Sequence, residues 1–154
     1  MKNSPTPLLI EPIKDHQLEA AAHLLCEAFN VPAARNRQEL KEQHGGLTQI
    51  FAAARDGQLL GLVRCHKFMN SLSVSLLAVD KSARGAGIGQ ELMRHAEDFM
   101  QREWLDGKKA YISLEDETRR DNPASRFYER LGYQEWPGMT GSAGQPLMYK
   151  WLKP

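Results

Sequence analysis

The sequence has little of several features that would define a protein class. Only two of the 154 residues are cysteines, Cys26 and Cys65, so at most one disulfide can form and a disulfide-dense scaffold is excluded. The 20 Lys and Arg residues nearly balance the 19 Asp and Glu residues, which leaves a net charge of +1 and no large field to attract nucleic acid. No apolar run approaches the ~18 residues of a membrane-spanning helix. We therefore expect no nucleic-acid partner and no membrane partner.

Targeting and metal-binding patterns are also missing. The first seven residues, rich in proline, lack the apolar stretch of a secretory signal, so the sequence predicts a cytoplasmic protein. The five histidines are scattered, with no C-x-x-C or H-x-x-x-H pair, and no metal site is expected. The length fits one domain of ~100–200 residues, so residues 1–154 are expected to form a single domain.

Hydrophobic periodicity and turn residues predict alternating strands and helices. The predicted elements are a strand over 8–13, a helix from Asp15 to before Pro32, a hairpin over 49–64 with Asp56-Gly57 at its turn, a strand over 72–79, a helix from Gly87, a strand over 110–114, a helix over 122–131 and a last strand over 146–152. A short strand at 133–136 is a further candidate, and residues 35–44 fit either a weak helix or a loop. This order is typical of an α+β or mixed-sheet domain.

The strand over 72–79 contains a break in its alternation. Apolar residues occupy even positions up to Leu76 and then continue at Leu77 and Val79. One extra residue near Leu76 and Leu77 would produce this shift, which is the signature of a β-bulge. A strand end buried on both faces would produce it equally well.

A glycine-rich turn follows that strand and leads into a helix, over Val79 to Gly89. Glycines allow close approach of a ligand, and the first turn of a helix presents unpaired N–H groups, so this loop is a candidate anion site. A tight turn that binds nothing is the structural alternative. The dinucleotide fingerprint fails, because Gln90 stands where its third glycine belongs, and the chain has no Gly-Lys-Ser/Thr of a P-loop.

Two motifs together resemble those of a known family. The arrangement Arg84-x-x-Gly87-x-Gly89 after an apolar strand resembles the acyl-CoA pyrophosphate loop of the GNAT superfamily of N-acetyltransferases. The run from Asn122 to Tyr133 resembles that family's signature N-x-x-A-x-x-F-Y-x-x-x-G-[FY]. The resemblance covers about residues 72–133. It implies an α+β fold with a mixed, mostly antiparallel sheet, splayed at the centre and flanked by helices on both faces.

The resemblance also implies a co-substrate and its binding residues. Acetyl-CoA would donate an acetyl group to a primary amine by direct transfer in a ternary complex, with no metal. The strand would pair with the pantetheine arm through Leu77, Ala78 and Val79. The pyrophosphate would be bound by Arg84, Gly85, Ala86, Gly87, Ile88 and Gly89. Asn122 matches a position that contacts the pantetheine, although it is also a good helix N-cap without any ligand.

The catalytic positions match those of the family only in part. Tyr128 matches the family position that often protonates the departing thiolate, whereas its place on an apolar helix stripe also suits a core residue. The family often places a Glu or His base on the strand before the loop, where this chain has Ser73 and Ser75. Glu115 is therefore the expected base, acting directly or through water, with Glu117 second. Their acidic run also fits a solvated loop.

Several alternatives remain open from the sequence. Cys65 could attack an acyl-CoA, but no histidine lies at a spacing that would activate it, so a buried structural thiol is expected. A non-catalytic acyl-CoA-binding regulatory module is the alternative function, supported by the missing carboxylate. The acceptor is expected to be a small-molecule or peptide amine. A homodimer through the C-terminal strand is compatible with the sequence.

Overall fold

The computed structural model describes residues 6–41, 47–69, 71–114, 123–140 and 146–153, with side chains throughout these ranges except at 123–125, 140 and 146. In chain order, the elements are β1 (Leu9–Pro12), α1 (Leu18–Phe29), α2 (Ala33–Lys41), β2 (Leu47–Arg55), β3 (Gln58–Phe68), β4 (Ser71–Val79), α3 (Ile88–Glu103), β5 (Ala110–Leu114), α4 (Pro123–Arg130), β6 (Gln134–Thr140) and β7 (Pro146–Leu152). Short 3-10 turns precede α1, at Asp15–Gln17, and α3, at Lys81–Ala83.

The seven strands form one sheet in the order β1-β2-β3-β4-β5-β7-β6. Only β4 and β5 pair in parallel among the described strands, and the other neighbours are antiparallel. The parallel pair is reached by a crossover through α3, as parallel neighbours require. The α+β fold with a mixed, mostly antiparallel sheet is thereby confirmed.

Apolar side chains form a separate core on each face of the sheet. On one face, α3 and α4 pack against the strands through a large cluster that includes Leu92, Met93, Val74, Ile112 and Tyr128. On the other face, α1 and α2 cover a smaller cluster of Leu25, Leu40, Ile50, Leu62 and Ala78. Helices therefore lie on both faces, as the resemblance implied. Each strand that serves both cores alternates its side chains between them.

The hairpin turn was predicted from the sequence, and a bulge was one of the two explanations that the sequence left open for the break in β4. Asp56 and Gly57 have φ angles of 53° and 76°, which are the two positive values that a type I′ turn needs. The register of β3 with β4 shifts between Arg64 and Cys65, whose partners are Leu76 and Val74. The extra residue is Ser75, one position before the predicted site. It reverses the side-chain parity, so that Leu77 and Val79 pack towards the α3 side.

The first helices differ from the sequence prediction. Asp15 begins a 3-10 turn and α1 itself begins at Leu18, because Lys14 N–H is bonded to Gln17 Oε1 and the first turn is tightened. The helix ends at Phe29, where Asn30 adopts a left-handed φ of 56° and its N–H bonds to the Cys26 carbonyl. The first part of the undecided 35–44 segment belongs to α2, which buries Leu40.

Aromatic residues line part of the sheet that α1 and α2 do not reach. The rings of Tyr111 and Trp136 are 4.8 Å apart, and Trp136 also contacts Tyr149 at 5.1 Å. Trp151 joins this group through Tyr111, at 5.5 Å, whereas Trp104 belongs to the α3 core. None of the described helices has the length and apolar composition needed to cross a membrane.

Candidate active site

The two parallel strands meet at the centre of the sheet and pair up to Val74 and Leu114, where the described part of β5 ends. Strand β4 pairs with β5 at three positions, Leu72 with Ile112, Ser73 with Ser113 and Val74 with Leu114. Beyond Val74, β4 continues to Val79 along β3, with no second partner strand among the described residues. Among the described residues, the side of β4 that faces away from β3 is therefore unpaired from the Ser75 bulge to Val79, and we call this unpaired side the gap.

The backbone of β4 presents hydrogen-bonding groups to this gap. Asp80 N–H donates to the Leu60 carbonyl at 2.8 Å, so Asp80 faces β3. Backbone groups alternate in direction along an antiparallel strand, which turns those of Ala78 to β3 and those of Leu77 and Val79 to the gap. Such groups bind an extended ligand as a further strand would. Of the three residues expected to pair with a pantetheine arm, Leu77 and Val79 are oriented to do so through the backbone.

The turn after β4 is held by short polar contacts. Asp80 Oδ1 accepts hydrogen bonds from Ser82 N–H at 2.9 Å and from Ser82 Oγ at 2.6 Å. These bonds stabilise the ionised carboxylate and hold the pKa of Asp80 below its usual value of 3.8. Arg84 Nε donates to the Val79 carbonyl at 3.2 Å. The turn is thus fixed to the end of β4, and Arg84 lies beside the gap.

The amino end of α3 completes the loop. Gly85 and Gly87 have φ angles of 84° and 81°, a region that residues with a Cβ rarely adopt. Gly87 is the N-cap and offers no side-chain acceptor, so the N–H groups of Ile88 and the next two residues have no intrahelical or capping partner. They carry the positive end of the helix dipole, which suits a phosphate group.

Helix α4 lies directly behind this loop. A Cβ added to Gly89 would be 3.3 Å from Phe127 Cζ, a tight contact that the Phe127 ring could relieve only by shifting, so the absence of a side chain at Gly89 favours this close approach of the two helices. Tyr128 is buried, with its ring centroid 5.1 Å from that of Phe127 and 5.9 Å from that of Tyr133. The sequence placed Tyr128 either in the core or at the reaction centre. It lies in the α3 core, on the helix that adjoins the glycine-rich loop.

The buried groups around Tyr128 do not ionise readily. Burial raises the pKa of the Cys65 thiol to about 12. Burial also raises the pKa of Tyr133, as does Glu97, whose Oε2 accepts a 3.0 Å hydrogen bond from the Tyr133 hydroxyl. A thiol held protonated is a poor nucleophile. Cys65 is therefore a structural residue and does not form an acyl-enzyme.

Three residues that the sequence places at the site, Glu115, Glu117 and Asn122, lie outside the described ranges. Among the residues that are described, no three His, Cys, Asp or Glu side chains come together as metal ligands.

Sequence reasoning missed a polar cluster at the bulge. Arg64 is buried, and its Nε donates to Ser75 Oγ at 2.6 Å. Its Nη1 lies 3.4 Å from the Glu39 carbonyl and 3.5 Å from Glu39 Oε1. Arg64 is a charged residue within the apolar run of β3, and a charge at such a position could have indicated a buried polar contact. Its partner on α2 could not be identified without the tertiary structure.

This geometry fits an acyl-CoA. The gap offers backbone groups for an amide-bearing arm, and the loop offers helix N–H groups and a guanidinium for a pyrophosphate. No nucleobase-specific or metal chemistry is needed to account for these residues.

Comparison with known proteins agrees with this arrangement. A family model described as an acetyltransferase (GNAT) domain matches residues 46–135. The blasticidin-S acetyltransferase of Streptomyces morookaense is 37% identical over 84 residues, which make up 54% of this chain and 57% of that protein. The match therefore spans little more than half the length of that relative.

Solved structures show the same fold over nearly the whole chain. The ribosomal-protein-S18-alanine N-acetyltransferase of Escherichia coli superposes with a TM-score of 0.70 at 21% identity, covering 96% of this chain and 94% of its own. The PaiA N-acetyltransferase of Thermoplasma acidophilum, solved in complex with coenzyme A, gives a TM-score of 0.72 at 16% identity, covering 94% and 98%. Because the family model matches more than half of the chain, the protein belongs to the GNAT family of acetyltransferases.

Proposed function

We propose that the protein transfers an acetyl group from acetyl-CoA to a primary amine by direct attack in a ternary complex. The observation that carries the proposal is the side of β4 that has no partner among the described residues beyond Val74, next to the uncapped amino end of α3. A single domain over residues 1–154, a cytoplasmic location and a C-terminal-strand homodimer, all expected from the sequence, belong to the same proposal.

In this mechanism the residues of the chain bind and orient the acyl-CoA and transfer the protons. Leu77 and Val79 hold the acyl-CoA arm through backbone groups, while Arg84, Ala86 and the other residues from Gly85 to Gly89 bind its pyrophosphate, and Asn122 contacts the pantetheine. The Leu77 N–H faces the gap and stabilises the oxyanion as the amine attacks. Tyr128 protonates the departing sulfur, for which a phenol is a suitable acid. Glu115 is the base that the sequence suggests.

The substrates of similar proteins support a choice of acceptor class. One relative is a blasticidin-S acetyltransferase, and one structural neighbour is an N-acetyltransferase of an alanine in ribosomal protein S18. Because the curated relative is the more similar in sequence, we favour a small-molecule amine over a peptide for this chain.

The first test is binding, by thermal unfolding with acetyl-CoA, ATP or NAD. A ligand at 100 times its Kd adds ~2.7 kcal/mol, which raises the Tm by ~2–4 °C per kcal/mol for a chain of this size. A rise with acetyl-CoA alone supports the proposal. A rise with ATP or NAD instead, or none, contradicts it.

The second test is turnover with blasticidin S, an aminoglycoside and a peptide with an amino-terminal alanine, measured by thiol release. We expect acetylation of at least one amine.

Tyr128→Phe should lower kcat about 10²-fold or more and leave acetyl-CoA binding intact. Tyr111→Phe, on the aromatic face, is the matched control and should keep the wild-type kcat. Binding without turnover of any amine would instead favour the non-catalytic module.

A further inference from the structure

A cavity of about 290 Å³ lies at the end of the sheet where β4 and β5 begin. Three lysines line it, Lys67 near the end of β3 and Lys108 and Lys109 in the connection between α3 and β5. Asp106 is the carboxylate among its lining residues. We call this space the lysine cavity. Its three positive charges and one negative charge give the lining residues a net charge of +2.

The lysine cavity is separate from the candidate active site. Its residue on β4 is Leu72, which pairs with Lys67 on β3 and with Ile112 on β5. The gap begins only at Ser75, and Leu77, whose backbone faces the gap, follows Leu72 by five positions. At ~3.3 Å per residue along a strand, Leu72 and Leu77 are roughly 16 Å apart. What the cavity binds is therefore independent of the proposed function.

The three ammonium groups have no counter-ion among the described residues. None of the ion pairs found there includes Lys67, Lys108 or Lys109, and none includes Asp106. Lys67 is moreover half-buried. A cation that loses part of its hydration without gaining an anion raises the free energy of the folded state. The position of Lys67 therefore favours a ligand of opposite charge.

Helix capping accounts for only part of this arrangement. Lys67 Nζ donates to the Trp104 carbonyl at 2.9 Å, and a cation at the carboxyl end of a helix is stabilised by the helix dipole. An ammonium has three N–H donors, and this bond uses one of them. The next carbonyl, that of Leu105, accepts from Lys108 N–H at 3.0 Å. Both carbonyls thus have donors already, and capping does not explain the charges of Lys108 and Lys109.

A tight turn places the other two lysines. Asp106 and Gly107 have φ angles of 53° and 74°, the two consecutive positive values of a type I′ turn. Lys108 and Lys109 follow directly. Lys109 Nζ lies 4.4 Å from the centroid of the Trp151 ring, a cation–π contact. This charge is held by an aromatic ring and not by an anion.

The size and wall of the cavity restrict the ligand. Its volume is near the lower end of the ~300–1,000 Å³ of small-molecule pockets. Leu72, Trp104 and Leu105 form an apolar part of the wall, which suits a ligand with a small apolar body. Lysine binds phosphate as a point charge, and the charge of about −1.5 to −2 on a phosphate monoester near pH 7 complements that of the cavity. A carboxylate or a sulfate ester brings only a single charge.

We propose that the lysine cavity binds a small phosphate monoester. Lys67 and Lys108 contact the phosphate oxygens, and Lys109 adds a third positive charge. The carbon part of the ligand rests on Leu72 and Trp104.

The test titrates phenyl phosphate into the full-length chain by calorimetry, with and without saturating acetyl-CoA. We expect binding with the same Kd in both cases, because acetyl-CoA occupies the gap and the glycine-rich loop. Phenyl sulfate, which has nearly the same shape and only one negative charge, should bind at least about 10-fold more weakly, as expected for the loss of a charge-assisted contact.

Variants of the charged residues test which groups hold the phosphate. Lys67→Met should raise the Kd for phenyl phosphate about 10-fold or more, and Lys108→Met, at an exposed side chain, about 2- to 5-fold. Asp106→Asn removes the negative charge with little change of shape and should lower the Kd. Lys41→Met, at an exposed lysine at the end of α2, is the control and should leave it unchanged. Acetyl-CoA affinity should be that of wild type in all four.

Other results would overturn the proposal. No binding by wild type at millimolar phenyl phosphate would do so, and so would equal Kd values in wild type, Lys67→Met and Lys108→Met. Displacement of phenyl phosphate by acetyl-CoA would place it at the glycine-rich loop instead. If Lys67→Met does not fold, Lys108→Met and Lys109→Met decide. Because no arm measures acetyl transfer, a failure of the proposed function leaves this test intact.

Discussion

Arg64 Nε donates a 2.6 Å hydrogen bond to Ser75 Oγ, the hydroxyl of the bulged residue on the neighbouring strand. Ser75 is the extra residue at which the register of β4 with β3 shifts. Arg64 also contacts Glu39, so α2 is joined to the bulge in β4. The buried guanidinium thereby connects a helix on one face of the sheet to the strand that we propose to bind acetyl-CoA.

Replacing Arg64 should therefore weaken both the fold and acetyl-CoA binding. Arg64→Met leaves Ser75 Oγ without its donor at a half-buried position, which costs about 1–3 kcal/mol and releases the bulge. Arg37→Met, which removes an exposed contact with Glu19 at 3.5 Å, is the matched control and should cost less than about 1 kcal/mol. Chemical denaturation and acetyl-CoA titration measure both effects. Wild-type affinity in Arg64→Met would show that the bulge does not depend on this bond.

Gly61 is required where α3 crosses β3. A Cβ at this position would lie 2.9 Å from Leu92 Cδ1 and 3.0 Å from the Ala78 carbonyl oxygen. Gly61→Ala should destabilise the protein by about 1–3 kcal/mol through overpacking. In a Leu92→Ala background the same change should cost less, because part of the clash is gone. Equal costs in the two backgrounds, measured by urea denaturation, would mean that the carbonyl contact alone is responsible.

Much of the fold could be predicted from short-range signals. The Asp56-Gly57 turn, the strand at 110–114 and the helix that follows Pro123 depend on residues close together in sequence, and all three are found. The start of α1 could not be placed, because the bond between Lys14 N–H and Gln17 Oε1 competes with helix capping by Asp15.

The Cys65 thiol should make the protein lose stability at high pH. Its pKa rises from 9.0 to about 12 on folding, so above pH 9 the unfolded chain loses this proton while the native protein keeps it. The free energy of unfolding should then fall by up to about 1.4 kcal/mol per pH unit. The stability is present below pH 9 and is lost as the pH rises towards 12. Tyr133, whose pKa is also raised by burial, acts in the same direction.

Cys65→Ala measures how much of this pH dependence of the free energy of unfolding comes from the Cys65 thiol. Cys65→Ala should be less stable than wild type at neutral pH, because it leaves a cavity, yet its stability should decline less steeply above pH 9. Val74→Ala, at the register partner of Cys65, leaves a cavity beside the thiol without removing it and should keep the steep decline. Denaturation between about pH 7 and pH 10 measures the slopes. If the free energy of unfolding declines equally steeply with pH in both variants, groups other than the Cys65 thiol cause the decline.

The glycine-rich loop could be recognised in the sequence because its eleven residues, Val79 to Gly89, are consecutive. The polar cluster at the bulge could not, because it is assembled from separate elements. Arg64, Ser75 and Glu39 meet only after β3, β4 and α2 have packed. Local periodicity carries no information about which side chain stands opposite which.

Glu97, Lys150 and Tyr133 form a network that fixes the carboxyl end of α4. Lys150 Nζ lies 2.7 Å from Glu97 Oε1 and donates to the Leu131 carbonyl at 2.8 Å, while the Tyr133 hydroxyl donates to Glu97 Oε2 at 3.0 Å. The Glu97 side chain is only 13% exposed, so it depends on these partners. The network joins α3 and β7 to the segment that follows Tyr128.

Lys150→Met should therefore destabilise the protein by roughly 1–3 kcal/mol, since it leaves a poorly solvated carboxylate without its cation. A double-mutant cycle with Glu97→Gln should give a coupling energy above about 1 kcal/mol. The exposed pair Glu91 and Arg94 on the same helix, 3.1 Å apart, is the control and should couple by about 0.5 kcal/mol or less. Hydrogen exchange should also quicken in α4, because the Leu131 carbonyl loses its donor. If both cycles give the same coupling, the network is no stronger than a surface ion pair, and packing alone positions the helix that carries Tyr128.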